Sequence, residues 1–153
     1  MGKESRKLTD ILATHSAIAI DTPVFIYHFE AHPHYQGLTT GIFQAVEEGG
    51  CKAVTSTLTR LELLVRPLSK NRHDIVNTYK FLLDTFPNLE QIAVDRDIAD
   101  KAAELRAGSG LATPDSLRLA TALNAGATLF ITNDSGFSQE FDEMEILLLD
   151  SLV

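Results

Sequence analysis

Four acidic residues have types and positions that could support metal chemistry: Asp21, Glu62, Asp115 and Asp134. Two of them close short apolar runs, and the other two lie near predicted helix starts. Carboxylates brought close together repel, and the pKa of each rises unless a cation binds among them. Clusters of hard oxygen ligands favour Mg²⁺ or Mn²⁺. The chemistry that such a cluster predicts is metal-assisted cleavage of a phosphodiester.

Each acid also has a purely local interpretation. The pairs Thr22-Pro23 and Thr113-Pro114 predict helix starts, with Thr as N-cap and Pro at the first helical position. Asp21 and Asp115 would then favour the positive end of a helix, and Asp115 has Arg118 three residues further on as an ion-pair partner. Asp134 lies in a turn-forming Asn-Asp-Ser-Gly stretch.

Glu62 falls inside an apolar stripe formed by Leu58, Leu61 and Val65 at helical spacing. A carboxylate buried in that stripe needs a cation, a proton or hydrogen bonds. The alternative is a capping box in which Thr59 starts the helix and Glu62 binds back to it.

The elements that position these acids follow from the apolar runs. Short strand-like runs alternate with longer segments of helical spacing, such as Ile75 to Phe86. The pattern predicts the α/β class, as a three-layer α/β/α sandwich with a central parallel sheet. A parallel sheet brings the acids to one edge, where ligands bind if the strand order reverses. The predicted strands are Ala17–Ile20, Cys51–Thr55, Gln91–Val94, Thr128–Ile131 and Ile146–Leu149.

The 153 residues predict a single domain over 1–153, with residues 1–16 as an N-terminal extension that is flexible or helical. One cysteine excludes an internal disulfide framework. No apolar run reaches the length of a signal peptide core or a membrane span, so the expected location is the cytoplasm, with no membrane partner.

The formal net charge of −8 argues against non-specific coating of nucleic acid. The segment from Arg60 to Lys80 differs, because it carries five basic and two acidic residues, a formal charge of +3. It is either a solvated helix face or part of a nucleic-acid surface.

With these residues in view, the sequence resembles the PIN-domain family, in particular VapC-like toxin ribonucleases. The resemblance rests on four stretches in order: "IAIDTPVFIY", "TSTLTRLELL", "TPDSLRLATAL" and "LFITNDSGF". It covers the chain from about Ile18 to Leu149.

The resemblance implies a Rossmann-like fold and a ribonuclease that depends on Mg²⁺ or Mn²⁺. Carried over residue by residue, it assigns Asp21, Glu62, Asp115 and Asp134 as metal-binding and catalytic acids. Thr132 matches a small hydroxyl residue that helps to order the site in the family. The resemblance also implies an RNA substrate, a homodimer and a small antitoxin whose tail occupies the active-site groove.

Two other functions are weighed against this one. The first is a non-catalytic RNA- or protein-binding module on the same fold, which would use the Arg60–Lys80 segment or the helix with Phe25, Tyr27 and Phe29. The second is a phosphatase or a receiver domain, but the Asp-x-Asp motif of the phosphatase is missing after the first strand.

Overall fold

The computed structural model describes residues 3–153, with side chains from Lys7 onward. Five strands form one sheet: β1 Ala17–Ile20, β2 Lys52–Ser56, β3 Leu89–Ile92, β4 Leu129–Thr132 and β5 Glu145–Leu148. The described residues contain seven α-helices: α1 Lys3–Ala13, α2 Thr22–Phe29, α3 Gln36–Glu47, α4 Thr57–Ser69, α5 His73–Thr85, α6 Arg96–Ser109 and α7 Thr113–Asn124. Short 3₁₀ helices cover Ser135–Phe137 and Leu149–Leu152.

The strand order is β3-β2-β1-β4-β5, and every neighbouring pair is parallel. This confirms the predicted α/β class with a central parallel sheet. The chain moves outward from β1 to β3 and then returns to place β4 on the other side of β1. The order therefore reverses between β1 and β4, and the crevice beyond their carboxyl ends is where an open α/β sheet binds its ligands.

Helices cover both faces of the sheet because successive strand side chains point in opposite directions. Ile18 and Ile20 of β1 pack in one buried cluster with Ile42 of α3. Ala19, which lies between them in sequence, packs in a second cluster with Leu119 of α7. The two cores on opposite faces form the predicted three-layer sandwich.

The segment predicted as an N-terminal extension forms helix α1 over Lys3–Ala13, while Met1 and Gly2 lie outside the described residues. Leu8 and Leu12 of α1 are buried in the same core as β1. Within the described part of this segment, α1 therefore adds to the core. Among residues 3–153, no helix has the length and apolar character needed to span a bilayer.

Two helix starts differ by one residue from the sequence prediction. Helix α2 begins at Thr22 with Asp21 in the N-cap position, and α7 begins at Thr113 with Ala112 in that position. The predicted N-cap role of both threonines is therefore wrong. For α2 the shift matters, because it frees the hydroxyl of Thr22 for a contact outside its own helix.

Candidate active site

Asp21 and Thr132 lie side by side where β1 and β4 end. The backbone N–H of Asp21 donates to the carbonyl of Ile131 at 2.9 Å, so the pairing of the two strands continues to this point. The hydroxyl of Thr132 donates to Asp21 Oδ2 at 2.7 Å, and it accepts from the backbone N–H of Asp134 at 3.1 Å. One buried hydroxyl thus connects the acids that follow the two strands.

Asp21 is a buried carboxyl group, with a relative exposure of 2%. Burial raises its pKa to about 6, although the hydrogen bond from Thr132 and the charge of Arg118 act in the opposite direction. Its second oxygen, Oδ1, is buried and accepts no hydrogen bond. An unsatisfied buried carboxylate oxygen is costly, and it is a position at which a cation would be stabilised.

Arg118 of α7 lies among three of the four predicted acids. Its Nη2 is 2.6 Å from Glu62 Oε1, its Nη1 is 2.6 Å from Asp115 Oδ1, and its Nε is 3.5 Å from Asp21 Oδ1. Burial by itself would lower the pKa of the guanidinium, but the three carboxylates outweigh burial and raise it. The pairing with Asp115 was predicted from spacing, whereas the contacts with Asp21 and Glu62 were not.

The apolar stripe that first drew attention to Glu62 is not buried, although the family resemblance assigned the same residue to the site. Leu61 and Val65 are 57% and 54% exposed, so the predicted buried stripe faces solvent. The buried face of α4 is formed instead by Thr59, Leu63, Leu64 and Pro67. The prediction of a buried stripe failed because Leu and Val at helical spacing do not reveal which face of a helix contacts the sheet.

The capping box is also wrong, because the N-cap of α4 is Ser56, whose hydroxyl accepts from the backbone N–H of Leu58 at 3.1 Å. Glu62 instead accepts a hydrogen bond of 2.9 Å from the hydroxyl of Thr22. That hydroxyl lies 3.0 Å from the hydroxyl of Thr59. Thr22 therefore orients Glu62 toward α2, a role that its Thr-Pro context did not suggest.

Asp115 and Asp134 approach each other around Gly136. A Cβ atom built on Gly136 would lie 3.2 Å from Asp134 Oδ1 and 3.3 Å from Asp115 Oδ2. The backbone N–H of Gly136 donates to Asp134 Oδ1 at 2.9 Å and holds that carboxylate in place. Burial, and then the charge of Asp134, raise the pKa of Asp115. All four predicted acids thus lie in one connected cluster, with Thr132 beside them.

The donor set fits a hard divalent ion in its chemistry, because it consists of carboxylate oxygens and includes Oδ1 of Asp21, which accepts no hydrogen bond. In the part of the chain that the structure describes, however, no three His, Cys, Asp or Glu side chains are spaced as a ready-made metal site. Within the acidic cluster, the guanidinium of Arg118 stands between the carboxylates of Asp21, Glu62 and Asp115. The cluster already holds a cation, and that cation is a side chain of the protein.

A groove of about 280 Å³ adjoins Glu62 between α2, α4 and α5. Its lining combines apolar side chains with the acid Glu30 and the cations Arg66, Lys70 and Arg72. The predicted basic segment is thus partly a groove wall beside the acids. Most of the basic side chains in this segment have acidic partners. Arg60 binds Asp84 at 2.6 Å, Arg72 binds Asp74 at 2.8 Å, and Arg66 lies 3.9 Å from Glu30.

The aromatic helix proposed as an alternative interface is mostly core. Phe25 of α2 is 1% exposed and packs against Phe43 of α3. Tyr27 and Phe29 are partly buried against the same core. This helix therefore presents little free aromatic surface.

Asn133 was interpreted from sequence as a simple turn residue, but it has specific partners. Its side-chain nitrogen donates to the hydroxyl of Tyr27 at 3.2 Å, and its side-chain oxygen accepts from the backbone N–H of Asp150 at 2.9 Å. These contacts tie the end of β4 to α2 and to the C-terminal 3₁₀ helix. The positions of Thr132 and Asp134 are thereby fixed from both sides.

The four acids and Thr132 fall within a known protein domain. A model of the PIN domain matches residues 18–140, which include all four acids and Thr132. The chain belongs to the PIN domain family. The match begins in β1 and ends before β5, so it spans the part of the sheet that carries the site.

Among solved structures, this PIN domain is similar to a chain of a toxin–antitoxin complex from Klebsiella pneumoniae, with 20% identity and a TM-score of 0.66 over 86% of this chain and 97% of that one. It is also similar to a chain of VapBC2 from Rickettsia felis bound to a DNA fragment from their promoter, with 16% identity and a TM-score of 0.67 over 85% and 96%. At these identities the similarity shows the shared fold. No curated protein matches the chain.

Proposed function

We propose that this PIN domain is an endoribonuclease that depends on Mg²⁺ or Mn²⁺, with Asp21, Glu62, Asp115 and Asp134 as its metal-binding acids. The observation that carries the proposal is Oδ1 of Asp21, which is buried at the strand switch point, accepts no hydrogen bond and lies inside a cluster of carboxylates. Membership of the PIN domain family, whose members are nucleases, supports this proposal. When bound, the divalent ion would activate a water molecule and neutralise charge on the phosphodiester.

The protein's own residues have distinct tasks in this proposal. Thr132 orients the carboxylate of Asp21, and Thr22 orients that of Glu62. The backbone N–H of Gly136 orients the carboxylate of Asp134. Lys70 and Arg66 along the neighbouring groove would attract the phosphates of a single RNA strand, while Arg72 is already paired with Asp74 at 2.8 Å.

The test is an RNA cleavage assay with the purified protein, with Mn²⁺ and with a chelator. We expect cleavage that stops with the chelator and with Asp21→Asn. Asp142→Asn is the matched control, because it makes the same charge change at an exposed position outside the cluster. Equal cleavage by the parent and Asp21→Asn would contradict the assigned site.

We further propose that the chain is the toxin of a toxin–antitoxin pair and acts in the cytoplasm, as a homodimer. The two similar structures are toxin–antitoxin complexes, which supports an antitoxin partner. The exposed apolar residues Leu61, Val65 and Leu68 of α4, beside the groove, would suit an apolar segment of such a partner. Co-purification with the product of an adjacent small reading frame tests the pairing, and the double variant Leu61→Glu/Val65→Glu should abolish it. Light scattering of the purified protein measures its molar mass, which should be that of a dimer.

One observation favours a second candidate, a non-catalytic binding module. Four carboxylates would be hard to keep in a protein without a metal, but Arg118 neutralises part of their charge. A melting temperature that does not respond to Mn²⁺, together with no cleavage, would favour this module.

A further inference from the structure

Arg118 is a cation that the fold holds inside the acidic site. It lies one turn into α7, and its side chain is only 11% exposed. Its three nitrogen atoms face three carboxylates from three different elements: the end of β1, α4 and the start of α7. An arginine that served only as a first-turn partner of Asp115 would not need the other two.

We propose that Arg118 is a built-in counter-ion that competes with a divalent metal ion for Asp21, Glu62 and Asp115. The inference rests on the proposed function and concerns how the metal site of that function is loaded. Without metal, the guanidinium neutralises the carboxylates and keeps the cluster from repelling itself. Metal binding requires this guanidinium to move away from at least part of the cluster.

Arg118 and a divalent ion would occupy the same carboxylate oxygens. Glu62 Oε1 and Asp115 Oδ1 each accept a charge-assisted hydrogen bond of 2.6 Å from Arg118. A divalent ion bound by the same carboxylates would lie a few ångströms from the positive guanidinium, and like charges at that separation repel strongly in a partly buried site. Binding of the carboxylates by Arg118 and binding by the metal ion are therefore alternatives, and the two cations do not occupy the cluster together.

The innermost contact of Arg118 is incomplete. Its Nε and Asp21 Oδ1 are 3.5 Å apart, and neither atom has a hydrogen-bond partner. The guanidinium thus satisfies the two outer carboxylates and leaves the buried oxygen unsatisfied. A compact ion, which has no fixed fork geometry, would reach that oxygen where the arginine does not.

A purely structural role for Arg118 predicts the opposite effect on metal binding. If Arg118 served only to hold α4 against α7, its loss would scatter the carboxylates and weaken metal binding. If it competes with the metal, its loss removes a repelling charge and strengthens metal binding. The sign of the change in affinity therefore separates the two roles.

The experiment is calorimetric titration of the full chain with Mn²⁺ for the parent and for Arg118→Met, which keeps an apolar stem and removes the charge. We expect the Kd of Arg118→Met for Mn²⁺ to fall by about tenfold or more, because one unit of repulsion is removed. We also expect its metal-free melting temperature to fall. Arg60→Met is the matched control, since Arg60 pairs with Asp84 outside the cluster, and its Kd should equal that of the parent.

An unchanged or higher Kd in folded Arg118→Met overturns the proposal, and so does the absence of Mn²⁺ binding in both proteins. If Arg118→Met does not fold by circular dichroism, Arg118→Gln, which keeps two donors without the charge, takes its place with the same expectation. The result of the RNA cleavage assay does not depend on the result of this titration. Tighter Mn²⁺ binding without cleavage by the parent would support the counter-ion role and contradict the nuclease function.

Discussion

The hydroxyl of Thr132, at the end of β4, donates a hydrogen bond of 2.7 Å to Asp21 Oδ2, at the end of β1. Both residues are buried, and the sheet order reverses between their strands. The same hydroxyl accepts from the backbone N–H of Asp134 at 3.1 Å. Thr132 is thus the point where the two strand ends and two of the four acids are joined.

Replacing Thr132 with Val keeps the branched shape and removes this hydrogen bond. We expect a loss of about 1–3 kcal/mol in the free energy of unfolding, because a buried carboxylate oxygen loses its donor. The bond favours the charged carboxylate, so the pKa of Asp21 should rise further. The pH profile of Mn²⁺-dependent cleavage should then shift to higher pH. Thr132→Ser, which restores the donor, should return the profile toward that of the parent, and identical profiles for Val and Thr would contradict this role.

The stability of the metal-free chain should depend on pH through Asp21. Its pKa is about 6 in the folded chain, against an ordinary value of 3.8 for an exposed aspartate. Between these values the unfolded chain has lost the proton that the folded chain still holds, so stability falls as pH rises through this window. The loss is complete above pH 6 and amounts to about 3 kcal/mol at most.

Asp21→Asn removes this titration and isolates its contribution. With a chelator present, we expect the variant and the parent to have similar unfolding free energies near pH 4. Above pH 6 the variant should be the more stable, by up to about 3 kcal/mol. Urea unfolding at several pH values measures the difference. A difference that stays constant with pH would show that Asp21 titrates normally.

Gly136 is the position where any side chain would touch two acids. A Cβ there would lie 3.2 Å from Asp134 Oδ1 and 3.3 Å from Asp115 Oδ2, closer than ordinary van der Waals contact. We expect Gly136→Ala to displace these carboxylates, weaken Mn²⁺ binding by about tenfold and change stability by less than about 1 kcal/mol.

Gly108→Ala is the control for this substitution. Gly108 lies in α6, where a Cβ would meet nothing within 4 Å. Alanine is favoured over glycine in a helix, so the control should be slightly more stable and should bind Mn²⁺ like the parent. Equal Mn²⁺ affinity in Gly136→Ala and Gly108→Ala would contradict the proposed geometry.

The fold followed from the sequence because the strands are short apolar runs between helices. The predicted β1, Ala17–Ile20, is the observed one, and the other strands shift by one or two residues. Parallel strands end at one edge, so Asp21 and Asp134 were placed together by topology alone. Thr132 entered through the family resemblance and lies between them.

The other contacts of the candidate site depend on packing between segments far apart in sequence. The stripe that singled out Glu62 faces solvent, and the family resemblance rather than the stripe assigned it to the site. Its partners, Thr22 and Arg118, lie on other helices. Spacing predicted the pair of Arg118 with Asp115, three residues away. Its reach to Glu62 depends on how α4 and α7 sit on the sheet, which no local pattern encodes.

The central claim is that these acids bind a divalent metal ion, and its most direct test is an anomalous difference map from a crystal soaked in Mn²⁺. We predict a peak within about 2.5 Å of Asp21 Oδ1, with Arg118 turned away from at least one of its carboxylate partners. A saturating soak that leaves Arg118 in place and gives no peak among Asp21, Glu62, Asp115 and Asp134 would contradict it.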